Sequence, residues 1–425
     1  MGDPVALSQN EIGALLDKLL PDAIDFLCEM IKYPSTRGNE GEVNRFIYEK
    51  MRELSDYAQL VPIPESFVTH PAYSWPLDGS SYSENYNVRL RINPGSTRKG
   101  SLIINAHTDV VPASKNQADA FVPRVVNGTV YGRGACDDKG QIAVIYLVLK
   151  ALAKLHLRPL SAITVDIVIE EENGGNGTLF AIQDAPKADA AIVMEPSELK
   201  IMPAVRGAVW FEITLTGRPG HSGRAAESVS ALKLAIQAME IIEDYHDELL
   251  KRSRGINQLF DQYEDPMPVT FGVLNSGDWP ATIPALASLK GVFGFLPNMH
   301  VAEVQEGIME ALKKRGDPWL REHFEVKFNM LNNDGSEISA DHPLVESLID
   351  SASWAGIEPS ISALTAACDA WRYNNTLGIP TVVMGAGSLK HAHSNIEQIS
   401  IDDIRQMAKV LIKFISNWSG LEPTR

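Results

Sequence analysis

Residues 101–112 read SLIINAHTDVVP, an apolar run that ends in His107, with Asp109 two positions further on. A short run of Leu and Ile bounded by polar residues predicts a buried strand over Ser101–Ala106. The pattern then repeats. Gln141–Leu155 has helical spacing, Ala162–Ile169 reads as a strand, Thr178–Gln183 as a short helix and Ala190–Met194 as a strand, while Asn87–Ile92 supplies a strand upstream. Alternation of this kind predicts an α/β fold, a mixed and mostly parallel sheet flanked by helices.

Working outward, apolar residues recur at helical spacing from Asn10 to Lys32, and Pro21 predicts a break between two amphipathic helices. Residues 67–86, rich in Pro, Ser and Tyr, read as a long loop. After Pro203 the texture changes. A strand over Val209–Thr216, a helix over Glu227–His246, strands over Val269–Asn275 and Ala285–Phe295, a helix over Val301–Lys314 and a strand over Phe324–Leu331 follow in turn. That β-α-β-β-α-β order is the ferredoxin-like plan. Beyond Asp334 the α/β texture resumes with a helix over Pro343–Ala355, a strand over Thr381–Met384 and a helix over Ile401–Ser416. The expected organisation is one α/β domain, residues 1–203 and 334–425, interrupted by an α+β module at residues 204–333.

The chain has 425 residues, so at roughly 100–200 residues per domain two or three domains are expected. Lys and Arg number 38 against 54 Asp and Glu, and the net charge of −16 argues against nucleic acid or an anionic membrane as a partner. Small molecules are the expected partners. With 44% hydrophobic and 22% charged residues the composition is that of a folded globular chain. No apolar run approaches the ~18–20 residues of a membrane span, and the start at Met1-Gly2-Asp3-Pro4, with Ala6, carries no visible targeting signal. Three scattered cysteines, Cys28, Cys136 and Cys368, make neither a disulfide framework nor a thiolate zinc site, so a reducing cytoplasm is the expected location.

Carboxylates and histidines gather at the C-terminal ends of the expected strands, where open α/β sheets place their ligand crevices. His107 and Asp109 form the first group; in extended chain they share a side, so Asp109 can orient the His107 ring. The second is VYGRGACDDKGQIA, where Gly132, Gly134 and Gly140 bend the chain around Asp137, with Asp138 as a competitor for its role or as a helix cap. The third is ITVDIVIEEENGGNGT, a strand ending in Glu170, Glu171 and Glu172, whose mutual repulsion calls for a compensating cation. Glu195 in ADAAIVMEPSE and the pair His391 and His393 in GSLKHAHSNIEQI complete the set. Two histidines with several carboxylates and no thiolate suit zinc, or cobalt or manganese. Since one zinc needs only three protein ligands, five candidates point to two neighbouring divalent metals that share a bridging carboxylate.

These motifs, in this order and spacing, resemble the di-zinc amidohydrolase and exopeptidase family that includes acetylornithine deacetylase, succinyl-diaminopimelate desuccinylase, aminoacylase and the glutamate carboxypeptidases. The resemblance spans essentially the whole chain. It implies that His107 and Glu195 bind one metal and Glu172 and His393 the other, with Asp137 bridging and Asp109 behind His107. It further implies that Glu171 is the general base, with Glu172 chosen over Glu170 as ligand by the family's spacing to the following glycine. His391 falls outside the pattern, and Asn395-Ile396 departs from the family's usual residues while Glu397 remains. The inserted module matches the family's lid and dimerisation domain, so a homodimer is expected, with His221 of GRPGHSGR reaching across the dimer to stabilise the oxyanion.

The activity implied is hydrolysis of the amide bond of an N-acylated amino acid or amine, with a dipeptidase or carboxypeptidase, a formylaminopyrimidine deformylase and a non-catalytic binding protein as alternatives. In PATIPALASLKGVFGFLP, Thr282 stands where relatives carry a carboxylate-binding Asn, and no arginine follows between Leu289 and Pro297. Arg206, Arg218 or Arg224 would have to replace them. Arg224, beside the lid histidine, is the first candidate substrate anchor.

Overall fold

The computed structural model describes residues 7–74 and 81–424. The start at Met1–Ala6 and residues 75–80 of the expected loop lie outside them. The chain divides into two compact units, one made of Met1–Ala204, Glu337–Leu364 and Cys368–Arg425, the other of Val205–Ser336 and Thr365–Ala367.

The first unit is built on a nine-stranded mixed sheet. At its centre Leu102–His107 pairs in parallel with Ile163–Val168 on one side and with Ala190–Val193 on the other, and Ala190–Val193 pairs in parallel with Thr381–Val383. The flanking pairs run antiparallel. Tyr86–Ile92 joins Ile163–Val168 antiparallel, Tyr57–Pro62 joins Tyr86–Ile92 antiparallel, and Ile201–Val205 meets Thr381–Val383 antiparallel. The parallel strands are buried on both faces, which is why they read as unbroken apolar runs. Helices Gln9–Ile31, Lys139–Lys154, Pro343–Ala355 and Ile401–Trp418 contribute to the same apolar core.

Several expectations are corrected. Gln9–Ile31 is one helix with Pro21 inside it, not two. An interior proline costs roughly 3 kcal/mol. Against that, Leu16, Ala23, Leu27, Met30 and Ile31 on one stripe are fully buried, and at about 1.5–3 kcal/mol for each large side chain their burial outweighs the break. The long helix starts at Ala231 rather than Glu227, because Ser222–Glu227 forms a 3-10 turn and the Ser230 hydroxyl accepts the Lys233 N–H at the true start. Within the expected loop, Glu65–Thr69 makes a short 3-10 helix.

The second unit is a five-stranded antiparallel sheet whose main path runs Val269–Ser276, Leu286–Phe295, Gly207–Thr216, Phe324–Lys327, with helices Ala231–Ser253 and Val301–Arg315 between them in sequence. Strand Phe324–Lys327 is shorter than expected, and Asn332–Asn333 pairs separately with Gly207–Thr216. In a small ribbon of the same unit His221 lies opposite Thr282. Among the described residues no helix is long and apolar enough to cross a membrane.

Candidate metal centre

His107 is the last residue of its strand and Glu195 follows the adjacent strand Ala190–Val193 by two positions, so sheet register brings the two together. Asp137 arrives on the turn before helix Lys139–Lys154. Two glycines make that turn possible. Gly134 sits at φ +82°, and a Cβ on Gly140 would lie 2.3 Å from the Ala135 carbonyl oxygen.

The result is two groups of donors that share Asp137. His107, Asp137 and Glu195 offer ligand atoms within 4.8 Å of one another, and Asp137, Glu172 and His393 do the same. His107 Nε2 is 3.0 Å from Asp137 Oδ1, while His393 Nε2 is 3.2 Å from Asp137 Oδ2 and 2.9 Å from Glu172 Oε1. One carboxylate thus stands between two imidazoles. Glu171 is buried and close enough to Glu195 and Asp369 for their charges to raise its pKa.

Asp109 orients His107, though not as its extended spacing suggests. The His107 Nδ1–H donates to the Asp109 backbone carbonyl at 3.0 Å, with the carboxylate at 3.4 Å. That carboxylate instead accepts the N–H groups of Glu171 and Glu172 at 3.1 and 3.0 Å, which fixes the glutamate turn against the His107 segment. The tautomer outcome is unchanged, since a protonated Nδ1 leaves Nε2 free to ligate. Asp138 is not a cap. Its carboxylate accepts the His107 backbone N–H at 2.9 Å, and it makes no side-chain bond to the helix it precedes.

The triple glutamate is resolved by division of labour. Glu170 turns away to Arg37, Tyr82 and Asn176, at 2.9, 2.6 and 2.8 Å, and so has its own compensating cation. Arg37 and Tyr82 carried no sequence signal, being remote from the motif. Asp369 was likewise missed; buried in the segment Cys368–Arg372, it accepts the Thr178 hydroxyl at 2.5 Å and faces Gly175 of the glutamate loop.

The electrostatics show an anion excess. Burial, then the charges of Glu195 and Asp369, pushes Glu171 well above the ordinary carboxylate range. Burial, then Asp138, does the same to Glu195. For His107 burial works against the charged form, yet its bonds to Asp109 and Asp137 hold the imidazolium well above its ordinary value. His393 is likewise held up to about 11, burial opposing and Glu172 and Asp137 prevailing. Carboxyl groups and imidazoles whose pKa values are raised together mark a site short of positive charge. The donor set, two imidazoles and three carboxylates with no thiolate, fits hard or borderline divalent cations.

In the second unit, His221 is exposed and its Nδ1 accepts the Gly223 N–H at 3.1 Å. Arg224 is also exposed and pairs with Glu227 three residues on, at 2.6 Å. Arg206 is held by the carbonyls of Thr365 and Gly207, and Arg218 lies over the Trp319 ring.

Residues 103–417 match the model of peptidase family M20/M25/M40. The chain belongs to that family, and so to the hydrolases. It is 29% identical over 347 residues to an N-formyl-4-amino-5-aminomethyl-2-methylpyrimidine deformylase from Bacillus subtilis, covering 75% of this chain and 79% of that protein. It is 26% identical over 357 residues to an acetylornithine deacetylase from Pasteurella multocida, covering 81% and 86%. A dipeptidase structure from Saccharomyces cerevisiae superposes with a TM-score of 0.77 at 14% identity, covering 97% of this chain and 98% of that one, which supports the fold alone.

Proposed function

We propose that the protein is a two-metal amidohydrolase that removes the acyl group from an N-acylated amino acid or amine. The observation that carries this reading is the pair of donor triads sharing Asp137, with the non-ligand Glu171 buried beside them. His107, Asp137 and Glu195 would hold one ion, and Asp137, Glu172 and His393 the other, with zinc as the resident metal and cobalt or manganese accepted by the same donors. Ions held there would supply Lewis acidity, polarising a substrate carbonyl and acidifying a bound water. Glu171 then takes the proton of the attacking water and returns it to the leaving nitrogen, a role suited to a carboxyl whose pKa is raised. Asp109 and Asp138 hold the His107 segment from its ring and backbone sides.

In the same reading His221 donates to the oxyanion. Because its Nδ1 accepts a backbone N–H, the neutral ring carries its proton on Nε2, the form that can donate outward. His221 is proposed to serve the neighbouring copy of a homodimer formed through the inserted unit. Exposed Leu232, Ile236, Val273, Leu274 and Trp279 on that unit supply apolar surface for such contact. Arg224 is proposed as the substrate anchor, exchanging Glu227 for an anionic group.

A second reading, a deformylase acting on a formylated aminopyrimidine, is supported by the 29% identity to the Bacillus subtilis deformylase. The test is a panel of N-acetyl, N-succinyl and N-formyl amines against dipeptides on metal-replete enzyme. The first reading expects an acyl amine to turn over fastest and Glu171→Ala to be inert; preference for dipeptides would overturn it. Fewer than one bound transition metal per chain in active enzyme would overturn the paired site.

A further inference from the structure

The segment that carries His393 has little regular structure of its own. Residues 388–397 form turns, His393 has a left-handed φ of 59°, and its side chain is half exposed. Such a segment fixes a ligand only if something outside it holds it. At its start the Ser388 hydroxyl donates to Glu198 at 2.6 Å. At its end stands Glu397, whose side chain and that of its partner Arg133 are each 1% exposed.

Glu397 divides its two oxygens. Oε2 accepts Arg133 Nη1 at 2.6 Å, and Oε1 accepts the backbone N–H groups of Cys136 and Asp137, each at 3.3 Å. Its backbone carbonyl accepts the Gly132 N–H at 3.1 Å, and Arg133 reaches the Ser394 carbonyl at 3.4 Å. The Asp137 turn and the His393 segment, distant in sequence, are therefore joined through one buried ion pair. We propose that Glu397, neutralised by Arg133, is a positioning residue that clamps these two segments together and so sets the affinity for the second metal; the proposal rests on the two-metal reading above.

Energetics favour position over stability as the purpose of this pair. Burying two charges costs several kcal/mol of desolvation per ion, and a well-packed apolar replacement is often neutral or stabilising. What an apolar pair cannot do is accept the N–H groups of Cys136 and Asp137. Contacts one step behind a metal ligand are typically worth 10–100-fold in metal affinity. Since Glu397 joins the Asp137 turn, which both triads share, to the segment of His393, which serves only one, the larger loss should fall on the Asp137–Glu172–His393 triad.

The test titrates Co²⁺ into metal-free wild type, Glu397→Gln and the double variant Arg133→Met/Glu397→Leu, following the visible spectrum of the bound ion and competition with a chelator. Wild type is expected to bind two ions. Both variants should bind the second ion ~10–100-fold more weakly and the first with a clearly smaller loss, with activity regained at excess Co²⁺. The double variant, which leaves no buried charge unpaired, should unfold near the wild-type temperature and so separates positioning from folding. Wild-type affinity for both ions in both variants, or equal weakening at both sites, overturns the clamp. A wild type that binds fewer than two ions overturns the two-metal reading itself, and is recognised without any variant.

Discussion

The two donor triads differ in how they are built. In the first, His107 ends one strand and Glu195 follows its parallel neighbour, and they are only 2% and 5% exposed, so the sheet's own hydrogen bonds set their spacing. In the second, Glu172 lies on a glycine-rich turn, and the half-exposed His393 lies on a segment without helix or strand. A sheet-built triad inherits the stiffness of the core. A loop-built one depends on a few side chains, such as Asp109 beneath Glu172 and Glu397 at the end of the His393 segment, and should hold its ion more weakly.

The largest expected effect lies outside both triads. Glu171→Gln should lower kcat by ~10²–10⁴ while both metals remain, read from kinetics and metal analysis together; loss of metal would show that Glu171 is itself a ligand. Next, His107→Ala should abolish the tight ion and lower the melting temperature, since it leaves Asp137 and Asp109 facing a buried void. His393→Ala should remove only the weak ion and scarcely move the melting temperature. Equal losses in the two variants would erase the distinction between the sites.

The pH dependence of metal-free protein comes third. Glu171, Glu172 and Glu195 all sit above the ordinary glutamate value of 4.5, chiefly because burial penalises the ionised form. Stability from their protons is complete below pH 4.5 and is lost as pH rises through the raised values. His393 acts in the same sense, its contribution complete below 6.5 and lost as pH rises toward about 11. Asp137, held low by His107 and His393 against its burial, works in reverse, and its contribution vanishes only in acid. The melting temperature of metal-free protein should therefore fall from pH 5 to pH 9, and added Zn²⁺ should flatten that slope by replacing protons with metal. A flat metal-free profile would contradict the anion excess.

The smallest effect concerns Arg224. Arg224→Ala should raise KM by about tenfold or less, because an exposed cation already paired with Glu227 contributes little net energy. An unchanged KM would remove it as the anchor.

Much of the site could be read from the chain because each candidate follows a local signal. Apolar runs ended in His107, in Glu170–Glu172 and in Glu195, and glycines flanked Asp137. The misses share one cause. Pro21 stays helical because the buried stripe of its own helix, packed into the core, outweighs it. Asp109 turned out to orient His107 through its carbonyl, because the strand ends at His107 and the chain no longer alternates. Arg37, Tyr82 and Asp369 had no signal, since each meets the glutamate segment only through folding.

What the sequence determined by itself was the alternation of strands and helices in the α/β unit and the residue types able to hold metal. Periodicity, turn chemistry and side-chain chemistry are settled within a few residues. Only the tertiary structure decided that Glu170 finds Arg37, that Asp109 turns its carbonyl to the His107 ring, and that Glu397 joins the Asp137 turn to the His393 segment. Those outcomes depend on register and on buried contacts between segments far apart in the chain, and no local pattern encodes them.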